Sequence, residues 1–290
     1  MTVCAHAALL SGGPVRYHAS APGLARRGRR PRDLFALETI ARPTHRGDPS
    51  RMGRKPRIAP AGMVFHVLNR ANERARLFEG PADYCAFEAI LRESLEREPV
   101  GLLAYCVMPN HFHLVLTPHA GGAMSAMMHW LGTTHARRWR RHIGNVGNGH
   151  VYQGKFKSFA VQSDAHLLSV CRYVERNPVA AGLVERAEDW TWSSAGRRAR
   201  ATTKHEHPPL APWPIPIPEG WLELVNVPQT PAERESLRVS LRTGEPYGAP
   251  EWQRETAERL GIFDRRRRRS RRATGHETQS GQSSLGADRR

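Results

Sequence analysis

Four side chains in two short strings could do chemistry together. The first string is CVMPNHFHLVL, residues 106–116, which holds His111 and His113. Pro109-Asn110 makes a turn between two apolar runs, LLAYCVM (102–108) and HFHLVLTP (111–118), so the string reads as a hairpin. Side chains alternate along a strand, so both imidazoles share one face and Phe112 takes the other. Two imidazoles on one face can hold a divalent cation, and they can equally be two histidines of a solvated strand face. The second string is CRYVERNPVAAGLV, residues 171–184. At ~100° per residue, Tyr173 lies roughly 110° off the apolar stripe of Leu167, Val170, Cys171 and Val174. It is therefore not simply a core aromatic of that face. Asn177 follows four residues later and projects from the same side as Tyr173 while the helix lasts. Pro178 disfavours helical geometry at Asn177, so the helix is expected to end there.

The elements that must position these residues follow from periodicity. VFHVLNR (64–70) reads as a strand. Pro81 opens a helix with Tyr84, Phe87, Leu91 and Leu95 at helical spacing. The hairpin comes next. Met124, Met127, Met128 and Leu131 then mark a helix that ends in Arg137, Arg138, Arg140 and Arg141. VYQGKFKSFAV (151–161) reads as a strand, and Ser163 or Asp164 caps the helix that carries Tyr173. Strand, helix, strand, strand, helix, strand, helix is the ferredoxin-like order. It predicts an α+β fold, an antiparallel sheet with helices packed on one face, over about residues 60–196. Residues 197–230 hold the Pro-rich string PPLAPWPIPIPEG and read as a linker. Residues 231–263 read as a small helical region, with helices expected over 231–243 and 251–261. Residues 264–290, with the run RRRRRSRR, read as a disordered basic tail.

The balance of charge narrows the partners. The 290-residue chain carries 44 Lys+Arg against 27 Asp+Glu, a formal net charge of +17, although only 24% of its residues are charged. A shortage of acids and an abundance of Arg favour a polyanion, most simply nucleic acid. No apolar run approaches the ~18 residues needed to span a bilayer, and MTVCAHAALLSGG lacks the basic start of a signal peptide. Cys4, Cys85, Cys106 and Cys171 have no zinc spacing and read as reduced cytosolic thiols, three of them in the core. Residues 1–51 hold nine Arg, no Lys and three acids without sustained periodicity. They are either a disordered basic arm or an extension upstream of a true start at Met52.

Three strings in order, MPNHFHL, YQGKFKS and RYVERNPVAAGLV, resemble the REP-associated tyrosine transposases. These are relatives of the single-tyrosine insertion-sequence transposases within the HUH nucleases. The resemblance spans roughly residues 53–196, and a weaker likeness runs through SLRTGEPYGAPEWQRETAERLGI. It implies a transposase/nuclease domain over residues 52–196 and supports a start near Met52. It implies that His111 and His113 are metal ligands, that Asn177 is the amide ligand and that Tyr173 is the nucleophile. The implied cation is Mg²⁺ or Mn²⁺; Mg²⁺ prefers oxygen ligands, so Mn²⁺ suits two imidazoles better. The implied partner is single-stranded or hairpin DNA handled in the cytoplasm at the nucleoid, by a monomer or homodimer, with no membrane and no small-molecule substrate.

Basic residues are placed to track that DNA. Lys155 and Lys157 alternate onto one face of their strand. Arg137, Arg138, Arg140 and Arg141 end a helix, where cations also suit the macrodipole and can simply be solvated. Trp139, Tyr152 and Phe156 are either stacking platforms for bases or core and edge aromatics. Three function classes are then open. One is a metal-dependent single-strand endonuclease and strand transferase acting through Tyr173. Another is a catalytically silent relative that binds structured DNA or RNA. The third, a histidine-metal hydrolase, leaves Tyr173 without a role. All four site residues are present, which favours the first.

Overall fold

Valine, phenylalanine and leucine dominate VFHVLNR, and this segment is one of the two central strands of the sheet. The computed structural model describes residues 57–144, 149–200 and 207–262. The basic arm, the Met52 start and the arginine tail lie outside the described residues. Strand β1 (Val64–Arg70) leads through a short turn to helix α1 (Pro81–Arg97). Strands β2 (Val100–Met108) and β3 (His111–Pro118) form the hairpin, helix α2 (Ala123–His142) follows, and β4 (Lys157–Val161) completes the sheet. The strand order is β2-β3-β1-β4, antiparallel throughout, which is the ferredoxin-like arrangement.

Local chemistry sets the boundaries. The Asp83 carboxylate accepts from the Glu79 and Gly80 amides and so closes the start of α1, with Pro81 in its first turn. Gly122, at φ 84°, takes the left-handed conformation that starts α2. The strand expected over 151–161 is shorter than its sequence pattern. Tyr152 pairs with Ala71 as an isolated antiparallel bridge, Gly154 at φ 139° interrupts the strand, and continuous pairing with β1 begins at Lys157. The Asp164 carboxylate accepts from the His166 amide and caps α3 (Ala165–Glu175).

Alternation divides the sheet into two faces. Phe65, Val67, Tyr105, Val107, Phe112, Leu114 and Leu116 pack under α1 and α2, against Tyr84, Phe87, Ile90, Met124, Met127 and Leu131. That is the helix-covered face expected from the sequence. The opposite face is also covered: Val64, Cys106, Val115, Phe159 and Val161 pack against Leu167, Val170, Cys171 and Val174 of α3. Cys106 and Cys171 are buried free thiols. Cys85 departs from the sequence reading, being half-buried and disulfide-bonded.

The C-terminal elements close over this second face. They are α4 (Asn177–Ala180), α5 (Ser194–Ala199), α6 (Trp221–Asn226) and α7 (Pro231–Thr243), whereas α8 (Pro250–Arg259) packs Trp252 against the first core. Helix α6 falls inside the Pro-rich stretch 197–230, where Trp221 is buried. The Tyr247 backbone adds to the edge of β4 by bonds to Ala160 and Gln162. Glu175, fully buried at the end of α3, accepts from Ser194 Oγ, from Trp221 Nε1 at 2.6 Å and from Arg198 Nε at 3.3 Å. One carboxylate thus ties the tyrosine helix to α5 and α6. Removing it strands a guanidinium and an indole N–H. Glu175→Ala is expected to cost roughly 3–5 kcal/mol in denaturant unfolding; wild-type stability in that variant would show that the network is dispensable.

Candidate active site

β1 and β3 place a row of polar side chains at one end of the second face. In the β1–β3 register, Arg70 faces His111, Leu68 faces His113 and His66 faces Val115. Residues 66, 68 and 70 on one strand and 111 and 113 on its neighbour therefore project the same way. Helix α3 crosses this face and turns the Tyr173 ring toward them. Its centroid lies 5.7 Å from the His113 ring and 6.4 Å from the His66 ring, edge-on to both. Pro178 ends α3 early: the cap is Arg176, and Asn177 opens the single turn of α4. The Asn177 amide nitrogen still reaches back to the Tyr173 carbonyl at 3.4 Å.

These residues line a cleft of about 520 Å³. His111, His113, Tyr173, Asn177, Lys155 and Lys157 all contribute to its wall. So do Arg70, Arg238 and Arg242, which the sequence reading did not single out. Among the described residues, no carboxylate lines it. Arg70 had a legible signal, because 66, 68 and 70 alternate on a strand that the sequence does show. Nothing in the sequence places Arg238 and Arg242 here, since that depends on α7 folding back over the sheet. The structure leaves Arg137, Arg138, Arg140 and Arg141 out of the cleft wall. They end α2, which packs on the other face, and Arg138 makes a double hydrogen bond to Glu93. Trp139 donates to the Leu77 carbonyl, Tyr152 is buried against His135, and Phe156 lies under Arg57. These three rings are core and edge aromatics.

Both cleft histidines use Nδ1 within the protein. His111 Nδ1 bonds Asn110 Oδ1 at 2.6 Å, and His113 Nδ1 shares a hydrogen bond with His66 Nε2 at 2.9 Å. Each keeps Nε2 for another partner. Burial, with the Arg70 charge second, lowers the His111 pKa to about 4. Burial also holds His113 well below its ordinary value, with His111, His66 and Arg70 adding to the effect. Neutral imidazoles are the form that ligates metal. An amide nitrogen only donates, so the Asn177 oxygen is the atom able to ligate. Two imidazoles and one amide oxygen, all neutral, fit a borderline divalent cation such as Mn²⁺. Among the described residues, no cluster of three or more His, Cys, Asp or Glu offers a competing site. Burial raises the Tyr173 phenol above its usual pKa, opposed by the Asn177 side-chain hydrogen bond and the charges of Arg238 and Arg70.

Residues 61–177 match the family model "Transposase IS200 like". Over 123 residues the chain is 24% identical to a Haemophilus influenzae protein described as "Putative REP-associated tyrosine transposase", covering 40% of this chain and 70% of that one. A solved REP-associated tyrosine transposase bound to a REP hairpin is 18% identical, with a TM-score of 0.42, over 55% of this chain and 99% of that one. A Deinococcus radiodurans crystal structure described as a "putative transposase" is also 18% identical, with a TM-score of 0.31, over 42% and 96% of the two chains. Among the described residues, no helix is long and apolar enough to cross a membrane.

The buried histidines make stability depend on pH. In the unfolded chain they protonate near the ordinary value of 6.5, whereas the fold lowers His66 to about 3 and His111 and His135 to about 4. Between these limits the unfolded form binds more protons, so the stabilisation is complete above 6.5 and is lost as pH falls. The melting temperature is expected to be level above about pH 6.5 and to decline from there toward pH 4. A level profile across that window would contradict the burial of neutral imidazoles.

Proposed function

Taking residues 61–177 as an IS200-like transposase domain, we propose that the cleft nicks and rejoins single-stranded DNA through a covalent bond to Tyr173. The observation that carries this reading is the company Tyr173 keeps: two imidazoles, three amides and five cationic side chains in a cleft wall that, among the described residues, has no carboxylate. A phosphodiester is the anion that such a wall suits, and a phenol beside it is a nucleophile for phosphorus.

Arg70, Lys155, Lys157, Arg238 and Arg242 hold the backbone phosphates and fix the scissile one against Tyr173. Tyr173 Oη attacks phosphorus in line. The Oη–P bond forms and the P–O3′ bond breaks; the phenol proton is lost, and the departing O3′ takes up a proton to become a 3′-hydroxyl. The 5′ phosphate stays on Tyr173 as a diester. Because one phosphodiester replaces another, the 3′-hydroxyl of a second strand can reverse the step without ATP. His111, His113 and Asn177 would hold a Mg²⁺ or Mn²⁺ ion, which would supply Lewis-acid withdrawal of charge from the phosphate. Arg70 and Arg238 favour the phenolate over the phenol, and the Asn177 side chain does the same by hydrogen bonding. The raised phenol pKa implies a rate that climbs with pH above neutrality.

Hairpin-forming repeats are the proposed substrate class, in line with the solved relative bound to a REP hairpin. Helix α3 is tied by Glu175 to the helices that follow it in the same chain. That supports a monomer working in cis.

Labelled single-stranded hairpins from repeats flanking the gene, incubated with the protein and Mn²⁺, are expected to yield a slow-migrating band on a denaturing gel. Chelation and Tyr173→Phe should each abolish it. Salt-sensitive binding with no covalent band on any repeat would instead favour a silent DNA- or RNA-binding relative. Arg70→Ala is expected to bind single strands more weakly and to flatten the dependence of log K on log salt by roughly 0.7. An unchanged slope would remove Arg70 from the phosphate path.

A further inference from the structure

His66 is 1% exposed, lies on the site's face of the sheet, and has no part in the mechanism above. It stacks on Phe159 at 4.9 Å. A phenylalanine or leucine would fill that space without burying any polar atom. His66 instead buries two nitrogens and satisfies one of them. Nε2 shares its hydrogen bond with His113, and Nδ1 has no partner among the described residues. An unpaired buried polar group costs on the order of 1–3 kcal/mol. The single bond to His113 is thus what distinguishes histidine from an apolar ring at this position.

That bond contains one proton shared between two neutral rings. With the proton on His113 Nδ1, His113 Nε2 is a bare lone pair and can ligate metal. His66 Nε2 then accepts, and the remaining His66 proton sits on Nδ1, the unpartnered atom. With the proton on His66 Nε2, His113 must carry its own proton on Nε2 and cannot ligate. His111 meets no such ambiguity. Asn110 Nδ2 donates to the Arg74 carbonyl, which turns Oδ1 toward His111 Nδ1, and an amide oxygen only accepts.

We infer that His66 is a positioning residue: as the acceptor for His113 Nδ1–H, it fixes the tautomer and ring orientation of one metal ligand, as Asn110 does for the other. This rests on the proposal that His111 and His113 hold the ion. His66 touches neither metal nor DNA in this role; it acts through His113.

The test measures Mn²⁺ binding by electron paramagnetic resonance, without DNA, alongside melting temperature. Wild type should bind, and His113→Ala should not. His66→Phe keeps the stacking ring and removes the acceptor; its affinity should fall about 10- to 100-fold. His66→Gln places an amide oxygen near the old Nε2 position and should recover most of that loss. Equal affinity in wild type and a folded His66→Phe would reduce His66 to packing and overturn the inference, while leaving the metal site standing. Wild type that binds no Mn²⁺, or binds it unaffected by His113→Ala, would remove the site and the inference together. Long-range proton–nitrogen spectra of wild type loaded with diamagnetic Zn²⁺ need no variant to fold. They should show His113 protonated on Nδ1; protonation of His113 on Nε2 would overturn the inference.

Discussion

Alternation along two antiparallel strands decides where the histidines and Arg70 of the site end up. Once Phe112 and Leu114 are drawn under α1 and α2, His111 and His113 have to project from the other face. The same constraint on β1 sends Phe65 and Val67 to the core and His66 and Arg70 to the site. A one-residue slip of β1 against β3 would place Arg70 beneath α1 and empty the cleft of its nearest cation. The apolar packing of the first face therefore holds the chemistry of the second in register.

The second face has to serve as both core and site, and it does so by length. Its far end is apolar and receives α3 through Leu167, Val170, Cys171 and Val174. Its near end is polar, and α3 passes over it with Tyr173. Glu175 then fixes the azimuth of the helix. Tyr173 and Asn177 stand on either side of this buried carboxylate, whose partners Ser194, Arg198 and Trp221 come from later elements. The C-terminal region is thus part of the support for the nucleophile, and α7 adds Arg238 and Arg242 to the wall opposite the sheet.

Much of this was legible in the residues. Strand order, the shared face of His111 and His113, and the displacement of Tyr173 from its helical stripe all follow from period and spacing, which are local properties. The cap at Asp164 and the span of α7 were legible for the same reason. Three things were not. The break in the strand read over 151–161 was not, because Gly154 adopts a backbone conformation that the apolar pattern cannot encode. The place of Arg238 and Arg242 depends on a tertiary fold-back across a Pro-rich stretch. The place of the arginines that end α2, outside the cleft wall, depends on the face on which their helix packs, which charge alone does not show. His66 falls between these cases. Its face could be read from β1, but its bond to His113 needed the register between strands.

The account turns on an ion bound by His111 and His113 beside Tyr173. The most direct measurement is anomalous diffraction from crystals of the protein soaked in Mn²⁺. The account predicts one anomalous peak within bonding distance of both imidazole Nε2 atoms and on the Tyr173 side of the sheet. A saturating soak that leaves this position empty, or that places Mn²⁺ only elsewhere on the chain, would contradict it.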